Sequence, residues 1–148
     1  MLFGDVALED AEGAILAHSI LLPDGKIAKG HLLEQHDLAR LRESGIRSVI
    51  VARLEDGDLT EDEAAQRMAS AIVPLGMRFS AASTGRVNIF SEVNGLFVVS
   101  RDIIDRLNRI DPAITIATLP DHAQVAKGAM VATIKIIPLA VQGRKVAQ

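Results

Sequence analysis

The residues best suited to chemistry are Ser83-Thr84-Gly85-Arg86-Val87-Asn88 and, far along the chain, Lys135. Hydroxyls and backbone N–H groups around a glycine, followed by a guanidinium, hold an anion when they converge. Lys135 joins them because a charge inside the otherwise apolar run Met130 to Val141 must face water, a partner or a ligand. Arg offers phosphate a planar fork and Lys a point charge. Thr84, Arg86, Asn88 and Lys135 are therefore the candidate ligand-binding residues. The plainer alternative is a loop entering a strand, with Lys135 on the strand's wet face.

Other clusters carry less. Glu55, Asp56, Asp58, Glu61, Asp62 and Glu63 suggest calcium, but a loop counted from Asp56 puts Glu61 at the sharp-turn glycine and Arg67 at the bidentate glutamate. Acids of this kind suit the first turn of a helix, where the macrodipole favours them. The four histidines, His18, His31, His36 and His122, form no i, i+4 pair and no H-E-x-x-H arrangement, so their spacing predicts no metal site. His31 and His36 are read as hydrated residues flanking a helix, and His122 as a loop residue open to a pH-sensitive contact. The chain lacks G-x-S-x-G, G-x-x-x-x-G-K-[ST] and G-x-G-x-x-G, so no catalytic residue is assigned.

The elements that must position these residues include a pattern stated twice. Lys26-Ile27-Ala28-Lys29-Gly30-His31-Leu32-Leu33 returns as Gln124-Val125-Ala126-Lys127-Gly128-Ala129-Met130-Val131. Each Lys-Gly pair can turn the backbone between two extended runs. Asp37 to Leu54 and Asp102 to Leu119 also align, as an amphipathic helix followed by a strand. Duplication and convergence on one plan both fit these echoes.

Along the chain, Val6 to Glu12 has a helical pattern, Ala14 to Leu22 reads extended, and Pro23-Asp24-Gly25 turns the chain. Leu38 and Leu41 share a helix face that ends at Gly45, and Ile46 to Leu54 follows as a strand. Thr60 and Glu63 form a capping box for a helix striped by Ala64, Ala65, Met68, Ala69 and Ile72, with Pro74 and Gly76 as its stop. Ser80 to Gly85 reads as a linker or an exposed loop between two lobes. Arg86 to Ser91 is predicted as a strand that turns at Asn94-Gly95 and returns through Leu96 to Ser100. Ile103, Ile104, Leu107 and Ile110 stripe a helix, Pro112 opens a strand, Ala123 to Leu139 is extended, and Gln142 to Gln148 reads as a frayed tail. The expectation is an α+β fold of two hairpin-helix-strand lobes, 1–79 and 80–148, with largely antiparallel sheets.

At 148 residues such a chain can bury roughly 70% of its unfolded surface without staples. No cysteine is present, which removes disulfides and thiol chemistry and fits a reducing compartment, so a cytoplasmic protein is expected. A net charge of −3 with neither Trp nor Tyr gives no basic field and few stacking platforms for nucleic acid. The longest apolar run is too short to cross a bilayer, so no membrane partner is expected either.

The pattern Val6-x-Leu8-x-x-Ala11-x-Gly13-x-x-Leu16-Ala17 resembles the opening of MoeA-type molybdopterin molybdotransferases. The longer run is similar to the N-terminal region of MoeA-like molybdopterin-binding proteins. It passes through Asp24-Gly25, Lys29-Gly30, the Asp37 to Gly45 helix and the Val49 strand to Thr84-Gly85-Arg86-Val87-Asn88 and Val131 to Pro138. The resemblance implies a role in molybdenum cofactor biosynthesis, with molybdopterin as ligand, no tightly bound cofactor, and a downstream pterin-binding or nucleotidyltransferase domain as partner. The Gly-rich and Pro-Gly loops of the pterin-binding domain have no counterpart before Gln148, so the chain is not expected to catalyse alone. The competing expectation is a structural or oligomerisation module without a small-molecule site; in both, a homo-oligomer is expected. A small acid-base enzyme is the third.

Overall fold

The computed structural model describes residues 1–72 and 75–147. The expected helix stop at Pro74 and the last residue of the expected tail, Gln148, lie outside them. The fold is α+β with antiparallel strand pairing, as expected, and its two compact units are Met1–Asp58 and Leu59–Gln148.

In the first unit β1 (Leu2–Ala7), β2 (Ile15–Leu16), β3 (Ile20–Leu22) and β4 (Gly25–Ile27) precede α1 (Gln35–Glu43) and β5 (Ser48–Arg53). The helical pattern read at Val6 to Glu12 shrinks to a 3-10 turn over Leu8–Asp10, because Val6 and Ala7 are drawn into β1 by pairing with Val49 and Ser48. Strand β5 lies between β1 and β2. Leu38 and Leu41 bury their face of α1 with Leu8, Leu16, Leu33, Val49 and Val51, each fully buried Leu or Val contributing about 2 kcal/mol. The helix ends as expected at Gly45: Gly45 N–H donates to Arg42 O and Ile46 N–H to Leu41 O, a Schellman pair.

The second unit takes in β6 (Asp58–Thr60), which begins at the division, then α2 (Glu61–Ala71), β7 (Met77–Phe79), β8 (Arg86–Ser91) and β9 (Gly95–Phe97). It continues with α3 (Arg101–Ile110), β10 (Ile114–Thr118), β11 (Ala123–Val125), β12 (Met130–Ile136), β13 (Ala140–Gln142) and α4 (Gly143–Val146). Its sheet has the order β10-β12-β8-β7. The capping box at α2 is present: Glu63 N–H donates to Thr60 Oγ1 and Thr60 N–H to Glu63. Ala64, Ala65, Met68 and Ala69 then pack on Val87, Ile89, Ile134 and Ile136 from the sheet. That packing places α2 with the residues after it, so the compact units divide at 58/59 where the sequence reading put the boundary at 79/80.

Three local expectations change once the pairing partners are known. Ser80 to Gly85 is not a linker between units: Ser80 N–H donates to Asn88 O, and the segment closes the hairpin from β7 to β8. Asn94-Gly95 does not return the chain onto β8; β9 pairs with β11 instead. The tail is ordered as α4, where Lys145 pairs with Asp111 at 2.6 Å and Val146 packs on the core.

The repeated pattern becomes a repeated hydrogen-bond frame. In the first unit Gly30 N–H donates to Leu16 O (2.8 Å), Leu16 N–H to His31 O (2.8 Å), and Lys29 N–H to Ser19 Oγ (2.9 Å). In the second, Gly128 N–H donates to Ser91 O (2.7 Å), Ser91 N–H to Ala129 O (2.9 Å), and Lys127 N–H to Asn94 Oδ1 (2.8 Å). Ile15 faces Leu32 as Phe90 faces Met130, and Leu22 faces Gly25 as Phe97 faces Ala123. Gly30 and Gly128 both have the positive φ such a turn needs, 83° and 88°. Between the two arms the first unit has only Pro23-Asp24, whereas the second inserts α3 and β10. Asn108 fastens that insertion: its side-chain amide donates to Ile116 O (2.9 Å) and accepts from Ile116 N–H (2.8 Å).

Candidate functional site

Antiparallel register puts directly opposed residues on one face of a sheet. Arg86 faces Lys135, which faces Thr115; Asn88 faces Thr133, which faces Ala117. These rows share the outer face of the sheet, because the residues between them, Val87, Ile89, Ile134, Ile136, Ile114 and Ile116, are buried in the core. Arg86, Asn88 and Lys135 are thus brought to one face, and Lys135 is explained by the strand's wet side. No carboxylate lies among the residues of these two rows.

Thr84 stands at the end of the same strands. Ser83 and Arg86 exchange both backbone hydrogen bonds around Thr84-Gly85 (3.0 and 3.1 Å), with φ of 50° and 69° at the two central residues. This is a two-residue turn of the type that requires positive φ twice, and a β-branched threonine occupies one position at a cost in strain. The Lys135 ammonium donates to the Thr84 carbonyl, which commits one of its three N–H groups.

The backbone donor of the turn's glycine is not free for an anion. Gly85 N–H donates to Asp62 Oδ1 (2.7 Å), so the first turn of α2 supplies a carboxylate where an external anion would bind. The approach is close: a Cβ on Gly85 would stand 2.6 Å from Ile136 O and 3.0 Å from the Glu61 side chain. Glu61 itself is buried, and its Oε2 has no hydrogen-bond partner among the described residues. What remains for binding is side chains. The Arg86 guanidinium is exposed and unpaired among the described residues, Asn88 Oδ1 accepts from Thr133 Oγ1 (2.8 Å), and Thr115 Oγ1 donates to Lys135 O (3.2 Å).

Sequence reading missed Thr115 and Thr133, whose only signal is their place opposite Lys135 and Asn88 in strands of alternating burial. It also missed Arg78, which lies over Phe90 at the other end of the face.

Two further clusters have different characters. Asp37, 2% exposed, accepts from Glu34 N–H (3.1 Å) and contacts His31 Nε2 (2.7 Å) and His36 Nε2 (3.1 Å). Burial pushes its carboxyl up, but the Glu34 N–H and the His31 hydrogen bond outweigh that and hold it below the ordinary carboxylate range. The two histidines are thus tied to a buried acid rather than simply hydrated. Beneath α3 a pocket of about 190 Å³ is lined by Met77, Phe97, Ile104, Leu107, Ile116 and other mainly apolar residues, with Thr118 as its polar member and no charged group to do chemistry. Among the described residues no cluster of three or more His, Asp or Glu side chains is placed to hold a metal ion, and no helix is long and apolar enough to cross a membrane.

No curated protein and no solved structure matches the chain. A family model described as a domain of unknown function, DUF8806, matches residues 5–53, a stretch that lies within the first compact unit and does not reach the polar face.

Proposed function

We propose that this chain is a non-catalytic binding domain in molybdenum cofactor assembly, and that the polar face of its second unit holds the phosphate of a molybdopterin-type ligand. The observation that carries the reading is the row of Arg86 beside Lys135, continued by Asn88 beside Thr133, on a solvent-facing sheet surface without a carboxylate in those rows. Planar and point-charge donors side by side suit a phosphate, while Asn88 and Thr133 add neutral hydrogen-bonding groups. The sequence resemblance supplies the pterin and a downstream pterin-binding or nucleotidyltransferase domain as partner. The chain's own part is to bind and orient, in the cytoplasm.

Calorimetry with a pterin monophosphate tests this reading. Arg86→Ala should weaken binding about tenfold or more, the scale of one charge-assisted hydrogen bond, and leave the thermal melt in place. Unchanged affinity, or a collapsed fold, refutes the assignment.

An oligomerisation module is the second reading, favoured by β1. This edge strand pairs with β5 alone, and its Leu2 and Phe3 are 63% and 59% exposed. Sedimentation that shows a dimer, with no heat on adding pterin phosphate, would select it.

A further inference from the structure

The polar face carries a feature that phosphate binding leaves unused. Two residues beyond Asn88, Phe90 shares its row with Arg78 on β7 and Met130 on β12. The Arg78 guanidinium lies over the Phe90 ring, its carbon 4.5 Å from the centroid. Arg78 is exposed and has no ion pair among the described residues. The guanidinium is exposed beyond the ring it covers, and aromatic heterocycles stack on guanidinium planes. Met130, also exposed, adds a polarizable thioether beside the ring.

The spacing joins this platform to the charged end. Arg86 and Phe90 stand four positions apart on β8, about 13 Å of strand, which suits a ring system bearing its phosphate on a short side chain. Asn88 stands midway, and because its Oδ1 takes the Thr133 hydroxyl, its two amide N–H groups are what it offers a ligand.

We infer that the outer face of this sheet is a two-part site for an aromatic heterocycle carrying a phosphate, with the ring stacked on Arg78 and the phosphate between Arg86 and Lys135. The phosphate end rests on the function proposed above; the ring end is additional to it. Pterins and nucleotides share this chemistry.

The chain contains neither Trp nor Tyr, so a pterin's own fluorescence reports binding with little protein background. A pterin monophosphate is titrated by fluorescence, and AMP, ribose 5-phosphate and the unphosphorylated pterin by calorimetry. The ring-bearing phosphates should bind at least about tenfold tighter than ribose 5-phosphate, the scale of one stacked base. Arg78→Lys, which keeps the charge and loses the plane, should erase that advantage and leave ribose 5-phosphate affinity unchanged, whereas Arg86→Ala should weaken every phosphate alike. A tighter pterin or a tighter AMP names the ring and supports the site in either case. Equal affinity of ringed and ringless phosphates overturns the stack and leaves the phosphate end standing. Equal affinity of the pterin with and without its phosphate overturns the phosphate end, and no binding of any probe overturns both.

Discussion

The two units build the same turn frame from different residues and then diverge. In the first, Lys29-Gly30 is held by Leu16 and Ser19, and Pro23-Asp24 closes the arms at once. In the second, Lys127-Gly128 is held by Ser91 and Asn94, but the arms open to admit α3 and β10. That insertion extends the sheet and completes the polar face with Thr115. The difference teaches that the frame is scaffold, since it serves equally well with and without a candidate site, and that the chemistry depends on what is inserted and what faces outward.

Glycine substitution gives the largest expected break in the comparison. Gly85→Ala drives a Cβ into backbone at a positive φ and should cost about 3 kcal/mol or more. Gly30→Ala and Gly128→Ala, which meet nothing within 4 Å, should each cost about 1–2 kcal/mol for the left-handed backbone alone. Urea denaturation of the three variants checks this; equal midpoints for Gly85→Ala and Gly128→Ala would remove the close approach from the account.

Acid sensitivity should separate the units next. The folded carboxyl of Asp37 lies below its ordinary range, so its contribution is complete above the unfolded value of about 4 and is lost as pH falls through the folded one. Asp37→Ala should cost the first unit about 2 kcal/mol at neutral pH and flatten its acid limb. Amide exchange followed from pH 6 to 3 should show that the part of the loss abolished by Asp37→Ala lies in amides of residues 1–58.

The smallest effect is the sharpest test of equivalence. Ser19→Ala and Asn94→Ala each remove the acceptor of one Lys N–H and should cost about 1 kcal/mol apiece, alike within half that. Thermal melts that differ by much more would mean the two frames match in outline only.

Sequence reading reached the features whose cause is local. Lys-Gly announces a turn because glycine accepts positive φ, Thr60 and Glu63 announce a helix start because three residues bring them together, and Gly45 announces its end. The other half of the frame was invisible. Ser19 and Asn94 share only a side-chain oxygen, and Leu16 and Ser91 act through their backbones, so no residue type repeats. Arg86, Asn88 and Lys135 were legible as polar interruptions, but their juxtaposition depends on the register of β8 against β12, which separates partners by more than forty residues. Asp62 was legible as a helix-start acid and not as the partner of Gly85, because that contact is made only when α2 packs on the sheet.

Asn108 closes the outer rim of β10 by occupying both the N–H and the C=O of Ile116, the central residue of that strand. A strand from another molecule that approached this rim would find its middle donor and acceptor already taken, so templated growth there is blocked by one amide side chain. Sideways addition to this sheet is left to the β7 rim, so that a donated or copied strand would join beside Arg78.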